Sequence, residues 1–318
     1  MKISLGVVMD PIQNITIHKD STFAMLLEAQ KRGWDIWYME QNDLFLEGDQ
    51  TYSRMQQLQV KDDPAHWYDL KSEHTAPLDK LDVILMRVDP PFDMEYIYTT
   101  YLLEQAEQRG ALIVNRPQSL RDANEKLFTA RFPQCCAPTI VARSHSQILR
   151  FLDEHKDIIL KPLGTMGGAS IFRVRLGDPN TNVILETLTG HGTQFTMAQR
   201  FVPEIDAGDK RILMINGEPI PYALARIPKP GETRGNLAAG GSGKGQPLSE
   251  SDFRIAREVG PTLRERGILF AGLDVIGDYL TEVNVTSPTC IRELDKQFNL
   301  NISATLMDCI EEKLAQRS

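Results

Sequence analysis

An α/β fold in two or three compact units is predicted for this chain, and three observations predict it. The first 116 residues alternate short apolar runs with helix-like segments, the pattern of a parallel sheet covered on both faces. Beyond Pro138 the apolar runs lie close together and pair as hairpins, the pattern of a mixed α+β unit. The chain also has 318 residues, 42% hydrophobic and 25% charged, ordinary globular usage with length for a sizeable core.

Lys2–Met9 reads as a buried strand and Asp10–Asp20 as a loop. Asp20 or Ser21 caps a helix that carries Phe23, Met25, Leu26, Leu27 and Ala29 and stops at Gly33. Asp35–Met39 is the next strand, and Gln50–Leu58 suggests a polar hairpin. Leu81–Met86 is a strand, Pro90–Pro91 a break, Tyr96–Gly110 a helix and Ala111–Asn115 a strand. Ser119–Phe132 reads as a helix with Ser119 and Asp122 in capping-box spacing and Lys126 on one face.

Thr139–Ala142, Ile158–Lys161, Ile171–Val174 and Thr196–Phe201 follow as strands, with a helix at Ser146–His155 and a small loop between Thr187 and Thr193. Lys210–Ile215 and Glu218–Ala225 form a hairpin across Asn216-Gly217, because both central residues of that tight turn need positive φ. Ile227–Gly245 is a long Gly-rich connection, Ser251–Gly267 a helix and Met307–Gln316 a closing amphipathic helix.

Composition excludes several functions. The net charge is −8 without a Lys/Arg block, which argues against nucleic acid. No apolar stretch approaches the ~20 residues of a membrane helix, and the N-terminus lacks a signal-peptide h-region. Cys135, Cys136, Cys290 and Cys309 form no CxxC pair, so reduced thiols in a cytoplasmic protein are expected. His18, His66, His74, His145, His155 and His191 show no ligand spacing.

Three stretches carry chemistry. In the hairpin Gly272–Asn284, Glu282 and Asn284 share one face of a strand. A three-residue connection, Gly277-Asp278-Tyr279, sets Asp274 opposite Glu282, whereas a two-residue connection sends Asp274 to the other face. Three convergent oxygen donors suit Mg²⁺, and a solvated sheet face has the same pattern. The second stretch places Lys161 before Gly164, Gly167 and Gly168, between two strands. Such a loop can bring backbone N–H groups to a phosphate, or be a simple Gly-rich hairpin. It is not a Walker A loop, which needs a following helix. The third holds Arg226 and Arg234 in the long Gly-rich connection, a mobile lid or a plain surface loop. Asp10, Asn14 and Ser21 lie beyond the first strand, where open α/β sheets bind ligands. Lys126 and Arg211 read by default as surface charges.

The order of these parts resembles the ATP-grasp arrangement. The strings MDPIQNITIHKD, ILMRVDPPFD, NRPQSLRDANEKLFTARF, RGNLAAGG and LTEVNVTSPTCIRE resemble the bacterial glutathione synthetase family over nearly the whole chain. The resemblance implies an α/β protein: an N-terminal parallel-sheet domain (1–122), then a two-part ATP-grasp domain (123–318) with an α+β lid. The lid subdomain would be 131–199, and 123–130 plus 200–318 the C-terminal subdomain. It implies ATP-dependent ligation of γ-glutamylcysteine and glycine through an acyl phosphate, with Mg²⁺ or Mn²⁺, in a cytoplasmic homotetramer without nucleic-acid or membrane partners. Lys126, Lys161, Gly164, Met166, Gly167 and Gly168 would meet the ATP phosphates. Gln199, Arg200, Phe201 and Val202 would line adenine, and Asp209 the ribose. Arg211, Arg226 and Arg234 would act on the reacting groups, and Asp274, Glu282 and Asn284 would hold the metal. Asn14, Ser21, Arg87, Ser287, Thr289 and Arg292 would hold substrate. Two strings depart from the family: Pro-Leu-Gly-Thr-Met-Gly-Gly in the phosphate loop, and Arg200-Phe201 in the hinge.

Overall fold

The computed structural model describes residues 2–165, 167–229, 235 and 242–317. Met166 and Arg234 lie outside the described residues.

The N-terminal part is built on β1 (Ser4–Met9), an apolar strand buried along most of its length. α1 (Ser21–Lys31) returns the chain to β2 (Asp35–Met39), which pairs parallel to β1. Asp20 caps α1 by accepting from the Phe23 N–H at 2.6 Å. β3 (Leu44–Glu47), β4 (Gln50–Val60) and β5 (Tyr68–Pro77) then extend the sheet in antiparallel fashion. The chain crosses to the other side of β1 for β6 (Val83–Arg87), runs through α2 (Met94–Gln108), and adds β7 (Leu112–Val114) parallel to β6. The sheet order is β3-β4-β2-β1-β6-β7, with β5 on β4. Strand order reverses at β1, so the ends of β1 and β6 open a crevice of the kind that binds ligands. Met9 pairs with Arg87 at that end, and the Asp89 N–H donates to Asp10 Oδ2 at 2.8 Å.

Two expectations fail here. Gln50–Leu58 is not a hairpin but one strand of a longer one, whose partner Tyr68–Pro77 is polar and has no fully buried residue. Without apolar alternation nothing in that partner signals a strand. The helix expected over Ser119–Phe132 is broken. α3 (Pro117–Asp122) starts with Pro117 in its first turn, and Ser119 Oγ donates to the Arg266 carbonyl at 2.5 Å instead of capping. Asn124 Oδ1 accepts from the Lys126 and Leu127 N–H groups, which turns the chain before the 3₁₀ segment Leu127–Arg131.

The central part is a four-stranded sheet with two helices. β8 (Thr139–Ala142), α4 (His145–His155), β9 (Asp157–Pro162), β10 (Phe172–Arg175), α5 (Thr181–Thr189) and β11 (Thr196–Arg200) give the order β10-β9-β11-β8. α5 escapes sequence reading because its Thr and Val residues are weak helix formers, and only buried Leu185 and Leu188 anchor it. This part has its own small core, including Ile148, Leu152, Leu160 and Ala198.

The third sheet contains β12 (Asp209–Ile215), β13 (Glu218–Ile227), β14 (Ser242–Pro247), β15 (Phe270–Ile276) and β16 (Tyr279–Asn284), with α6 (Glu250–Glu265) between β14 and β15. Its order is β14-β13-β12-β15-β16. Asn216 and Gly217 both have positive φ, as the β12–β13 turn requires. The end of the Gly-rich connection belongs to strand β14, which pairs with β13, and is not loop. α7 (Ile291–Phe298) and α8 (Ile302–Ala315) close the chain. Unlike the central part, this sheet shares its core with the N-terminal sheet: Leu5, Val7 and Leu26 belong to one cluster with Leu213, Phe270, Ile291 and Met307. Buried Asn115 joins the two by donating to the carbonyls of Phe270 and Val285, both at 2.7 Å, and accepting from the Phe270 N–H. Two sheets thus form one body, and the central sheet packs as a separate lobe.

Charge ties the last helix to the first. Arg32 pairs with Glu28 (2.9 Å), Asp308 (2.7 Å) and Glu311 (3.2 Å), and Asn301 donates to Glu28 at 3.0 Å. Burial raises the Glu28 pKa, but Asn301 and Arg32 together hold it below the ordinary glutamate value. A depressed carboxyl stabilises the fold above its unfolded pKa of 4.5 and loses that contribution as pH falls through its lower folded value. Glu28→Gln is expected to cost about 1 kcal/mol in urea unfolding at pH 7. The gap between the two proteins should close as pH falls from 4.5 through that lower folded value. A gap that does not change with pH would count against the ion pair.

Candidate functional site

A cavity of about 440 Å³ lies where the three sheets meet, and side chains from all of them line it. Its floor is the β15–β16 hairpin. The connection there is Gly277-Asp278, with Ile276 opposite Tyr279, so it has two residues and not three. A two-residue turn alone would put Asp274 on the wrong face. The ladder corrects this with a bulge: Val275 pairs with Leu280 and Asp274 with Glu282, which leaves Thr281 as the extra residue. Leu280 and Thr281 are consequently both buried, against the usual alternation. Thr281 Oγ1 donates to the Asp274 carbonyl at 3.1 Å. Asp274 and Glu282 are opposed as expected, and Gly272 faces Asn284. Gly272 also leaves room for Arg211, since a Cβ there would meet Arg211 Cδ at 2.7 Å.

Asp274 is 2% exposed and gripped by two arginines. Arg211 Nε and Nη2 donate to its two oxygens at 2.5 and 2.8 Å, and Arg226 Nη2 lies 2.8 Å from Oδ2. Strand order explains the convergence: Arg211 on β12 pairs with Asp274 on β15 and with Leu224 on β13, two residues from Arg226. Arg226 Nη2 also donates to Asp209 Oδ2 at 2.5 Å. Burial raises the Asp274 pKa, and the two guanidinium groups more than offset it, leaving the carboxyl well below the ordinary aspartate range. Asp209 goes the other way. Burial pushes it up to about 7, with Asp274 and Glu282 adding to the rise and Arg226 opposing it. Its Oδ1 is buried without a hydrogen-bond partner among the described residues. Arg211 is therefore no surface charge.

Nor is Lys126 a solvated lysine: it is 2% exposed and sits in a turn rather than on a helix face. Its Nζ donates to Glu125 Oε1 at 2.5 Å and to the Thr165 carbonyl at 2.7 Å, and lies 4.0 Å from Glu282. Glu125, which sequence reading passed over, has its pKa raised by burial, with Glu282 and Asp274 adding to the effect. Apart from the adjacent Lys126, nothing local marks it, because Glu282 and Asp274 are brought to it from far along the chain. Lys161 reaches Gln199 Oε1 at 3.4 Å. Gly167 and Gly168, with φ of 68° and 76°, line the cavity beside it. Ile159, Ile171, Phe201, Val202 and Ile205 make an apolar wall at the same end.

The opposite end lies against the crevice at β1 and β6. Ser21, Arg87, Ser287 and Thr289 line it, as do Asp10, Asp20, Asp89 and Glu293. Arg87 commits three of its five N–H donors: Nε donates to Thr22 Oγ1 at 3.0 Å, and Nη1 and Nη2 donate to the Thr286 and Pro288 carbonyls. Ser21 Oγ accepts from the Ile291 N–H, and Ser287 donates to Asp89. Three expected residues, Asn14, Gly164 and Arg292, are absent from the lining. Asn14 is exposed, and Arg292 pairs with Asp62 at 2.7 Å.

Among the described residues no three His, Cys, Asp or Glu side chains group as a metal cluster. Asp274, Glu282 and Asn284 offer hard oxygen donors, two of them carboxylates, so a divalent cation fits them when phosphate oxygens complete its shell. Buried cations around orphaned and ionised acceptors suit a polyphosphate with a hydroxyl donor near Asp209.

Two family models match the chain: prokaryotic glutathione synthetase, N-terminal domain, over residues 3–121, and prokaryotic glutathione synthetase, ATP-grasp domain, over residues 125–299. The chain is 63% identical over 317 residues to the glutathione synthetase of Pseudomonas syringae pv. tomato, covering 100% of this chain and 99% of the relative. It is 60% identical over 315 residues to that of Escherichia coli O127:H6, covering 99% and 100%. Among solved structures, D-cycloserine synthetase DcsG superposes with a TM-score of 0.65 at 13% identity, covering 96% of this chain and 99% of that one. The ATP-grasp ligase PsnB, complexed with minimal precursor, Mg and ADP, gives 0.61 at 15%, covering 98% of each. The likeness to these two structures concerns the fold.

Replacing Asp274 by Asn leaves two buried guanidinium groups facing a neutral amide. The expected cost is about 3–5 kcal/mol in urea unfolding at pH 7. A loss below about 1 kcal/mol would mean that the arginines have other partners.

Proposed function

The chain belongs to the prokaryotic glutathione synthetase family, whose activity is ATP-dependent ligation of γ-L-glutamyl-L-cysteine and glycine, and we propose that the cavity described above performs it through an acyl phosphate. The observation that carries this reading is the meeting of Arg211, Arg226, Lys126 and Lys161 with Asp274 and Glu282 in one cavity.

A carboxylate is a poor acyl donor. In the proposed reaction the cysteinyl carboxylate oxygen attacks the γ-phosphorus of ATP, the bond to the ADP oxygen breaks, and a mixed anhydride forms. The glycine amine then attacks the activated carbon. A C–N bond replaces the C–O bond, phosphate leaves with the electron pair, and the amine releases a proton. Lys126, Lys161 and the N–H groups of Gly167 and Gly168 hold the phosphates, with Gly164 and Met166 in the same loop. Gln199, Arg200, Phe201 and Val202 take the adenine, and Asp209 the ribose. Arg211 and Arg226 face the phosphoryl group in transfer and offset its developing charge. Asp274, Glu282 and Asn284 would hold Mg²⁺, with Mn²⁺ as an alternative, which would neutralise phosphate charge. Ser21, Arg87, Ser287 and Thr289 hold the dipeptide. Arg234, in the connection before β14, is proposed to close over it.

Residues 1–122 are proposed as the dipeptide-binding domain and 131–199 as the lid subdomain. The remainder, 123–130 plus 200–318, is the C-terminal subdomain. The separate core of the central sheet supports that division, because a lobe with its own core can move as a unit. No helix among the described residues is long and apolar enough to cross a membrane. A cytoplasmic homotetramer is proposed from the family resemblance.

Coupled ADP release with γ-glutamylcysteine, with and without glycine, tests this function. Wild-type protein should release ADP continuously only when both substrates are present. Glu282→Ala should lower that rate by about 10²–10³ with its circular dichroism and melting unchanged. Turnover near wild type in the variant would overturn the site assignment.

A further inference from the structure

Behind the apolar wall of the cavity, on its outer side, a guanidinium is pressed against an aromatic ring. Arg173 on β10 has its guanidinium carbon 3.4 Å from the centre of the Phe201 ring. The guanidinium is itself aimed by Asp157 at the start of β9: Arg173 Nε lies 3.0 Å from Oδ1 and Nη2 2.6 Å from Oδ2. Asp157 also fixes the backbone of the ring, since its carbonyl accepts from the Phe201 N–H at 3.0 Å. One residue thus holds Phe201 directly through the main chain and, through Arg173, by the side chain.

Phe201 is a partition. It lines the cavity between the sheets together with Ile159, Ile171, Val202 and Ile205, and it also lines an outer recess that contains Asp157 and Arg173. Arg173 and Asp157 are absent from the lining of the cavity between the sheets. The cation therefore cannot touch a ligand there, but it sets the plane of a ring that can. Electrostatic attraction between a cation and a ring face holds the two together, and the bidentate carboxylate removes the freedom of the long arginine side chain. A ring fixed from behind offers a flat apolar surface to a planar base in front.

We infer that Arg173, oriented by Asp157, is a positioning residue for the nucleotide: it holds Phe201 in the plane against which the base of ATP lies. This rests on the proposed nucleotide end of the cavity. The Arg173–Asp157 pair is itself about a quarter exposed on each side, so its loss should cost the fold little.

The experiment is a double-mutant cycle with Arg173→Ala and Phe201→Leu, read by steady-state kinetics in all three substrates. In Arg173→Ala the KM for ATP should rise about three- to tenfold, the equivalent of one cation–ring contact. The kcat at saturating ATP and the KM values for γ-glutamylcysteine and glycine should stay within about twofold. Phe201→Leu should raise the KM for ATP as well, and adding Arg173→Ala to it should change nothing further, because the partner is gone. Arg173→Lys should recover only part of the affinity, since Lys keeps the charge and loses the fork. An unchanged KM for ATP in Arg173→Ala overturns the inference. So does a full additional effect in the Phe201→Leu background, or an equal rise in the KM of all three substrates, which would mark a general disturbance of the lobe. Wild-type protein that consumes no ATP would instead refute the ligase reading, and the two failures are separable in the same assay.

Discussion

One buried carboxylate organises the site. Asp274 is ionised in an environment that disfavours charge, and it stays so because Arg211 and Arg226 close on both its oxygens. Any of the three alone would be an uncompensated buried ion, at a cost of several kcal/mol. Together they lock β12, β13 and β15 side by side, and this fixes where the guanidinium groups stand. The arrangement also explains why so many cations are tolerated in a protein of net charge −8. Each is balanced locally: Arg226 by Asp209 and Asp274, Lys126 by Glu125 and, at longer range, Glu282. A polyphosphate entering this cavity meets cationic charge already gathered there, and binding exchanges the arginines' carboxylate partner for phosphate oxygens.

The same carboxylate depends on a local irregularity. The tight Gly277-Asp278 turn and the buried position of Asp274 are incompatible in a regular ladder, and the extra residue at Thr281 reconciles them. The bulge turns the Glu282 side toward Asp274 and sets Asn284 opposite Gly272, where the missing side chain makes space for Arg211. Bulges beside active sites commonly re-aim a side chain in this way. The body that carries the hairpin is stiff, because the N-terminal and C-terminal sheets share one core and Asn115 stitches them together. The lobe that carries Lys161, Gln199 and Phe201 has a core of its own. On the proposed function, closure of that lobe on the stiff body is the motion that would bring the two halves of the nucleotide site together.

Much of this was legible in the residues, and the failures have physical causes. Asn216-Gly217 marked its hairpin because few other residues accept positive φ at both positions. The facing of Asp274 and Glu282 was also legible, although by way of the wrong turn: a three-residue loop and a two-residue loop with a bulge give the same pairing, and only coordinates separate them. The β5 strand and α5 were hidden because one lacks apolar alternation and the other is mostly Thr, Asn and β-branched residues, weak helix formers. The burial of Lys126 and Arg211 could not be read locally. Their partners Thr165, Glu282 and Asp274 are distant in sequence, so periodicity alone assigns both to the surface. Arg292 shows the reverse. Its motif suggests the substrate site, and the structure pairs it with Asp62 at 2.7 Å, outside the cavity lining.

The most direct measurement is anomalous diffraction from crystals grown with ADP and Mn²⁺, which locates the cation without reference to activity. The account requires the peak at direct ligand distance from Asp274, Glu282 and Asn284, with Arg211 and Arg226 turned toward the phosphates. A cation held by other residues, with Asp274 still closed in by its two arginines, would contradict it.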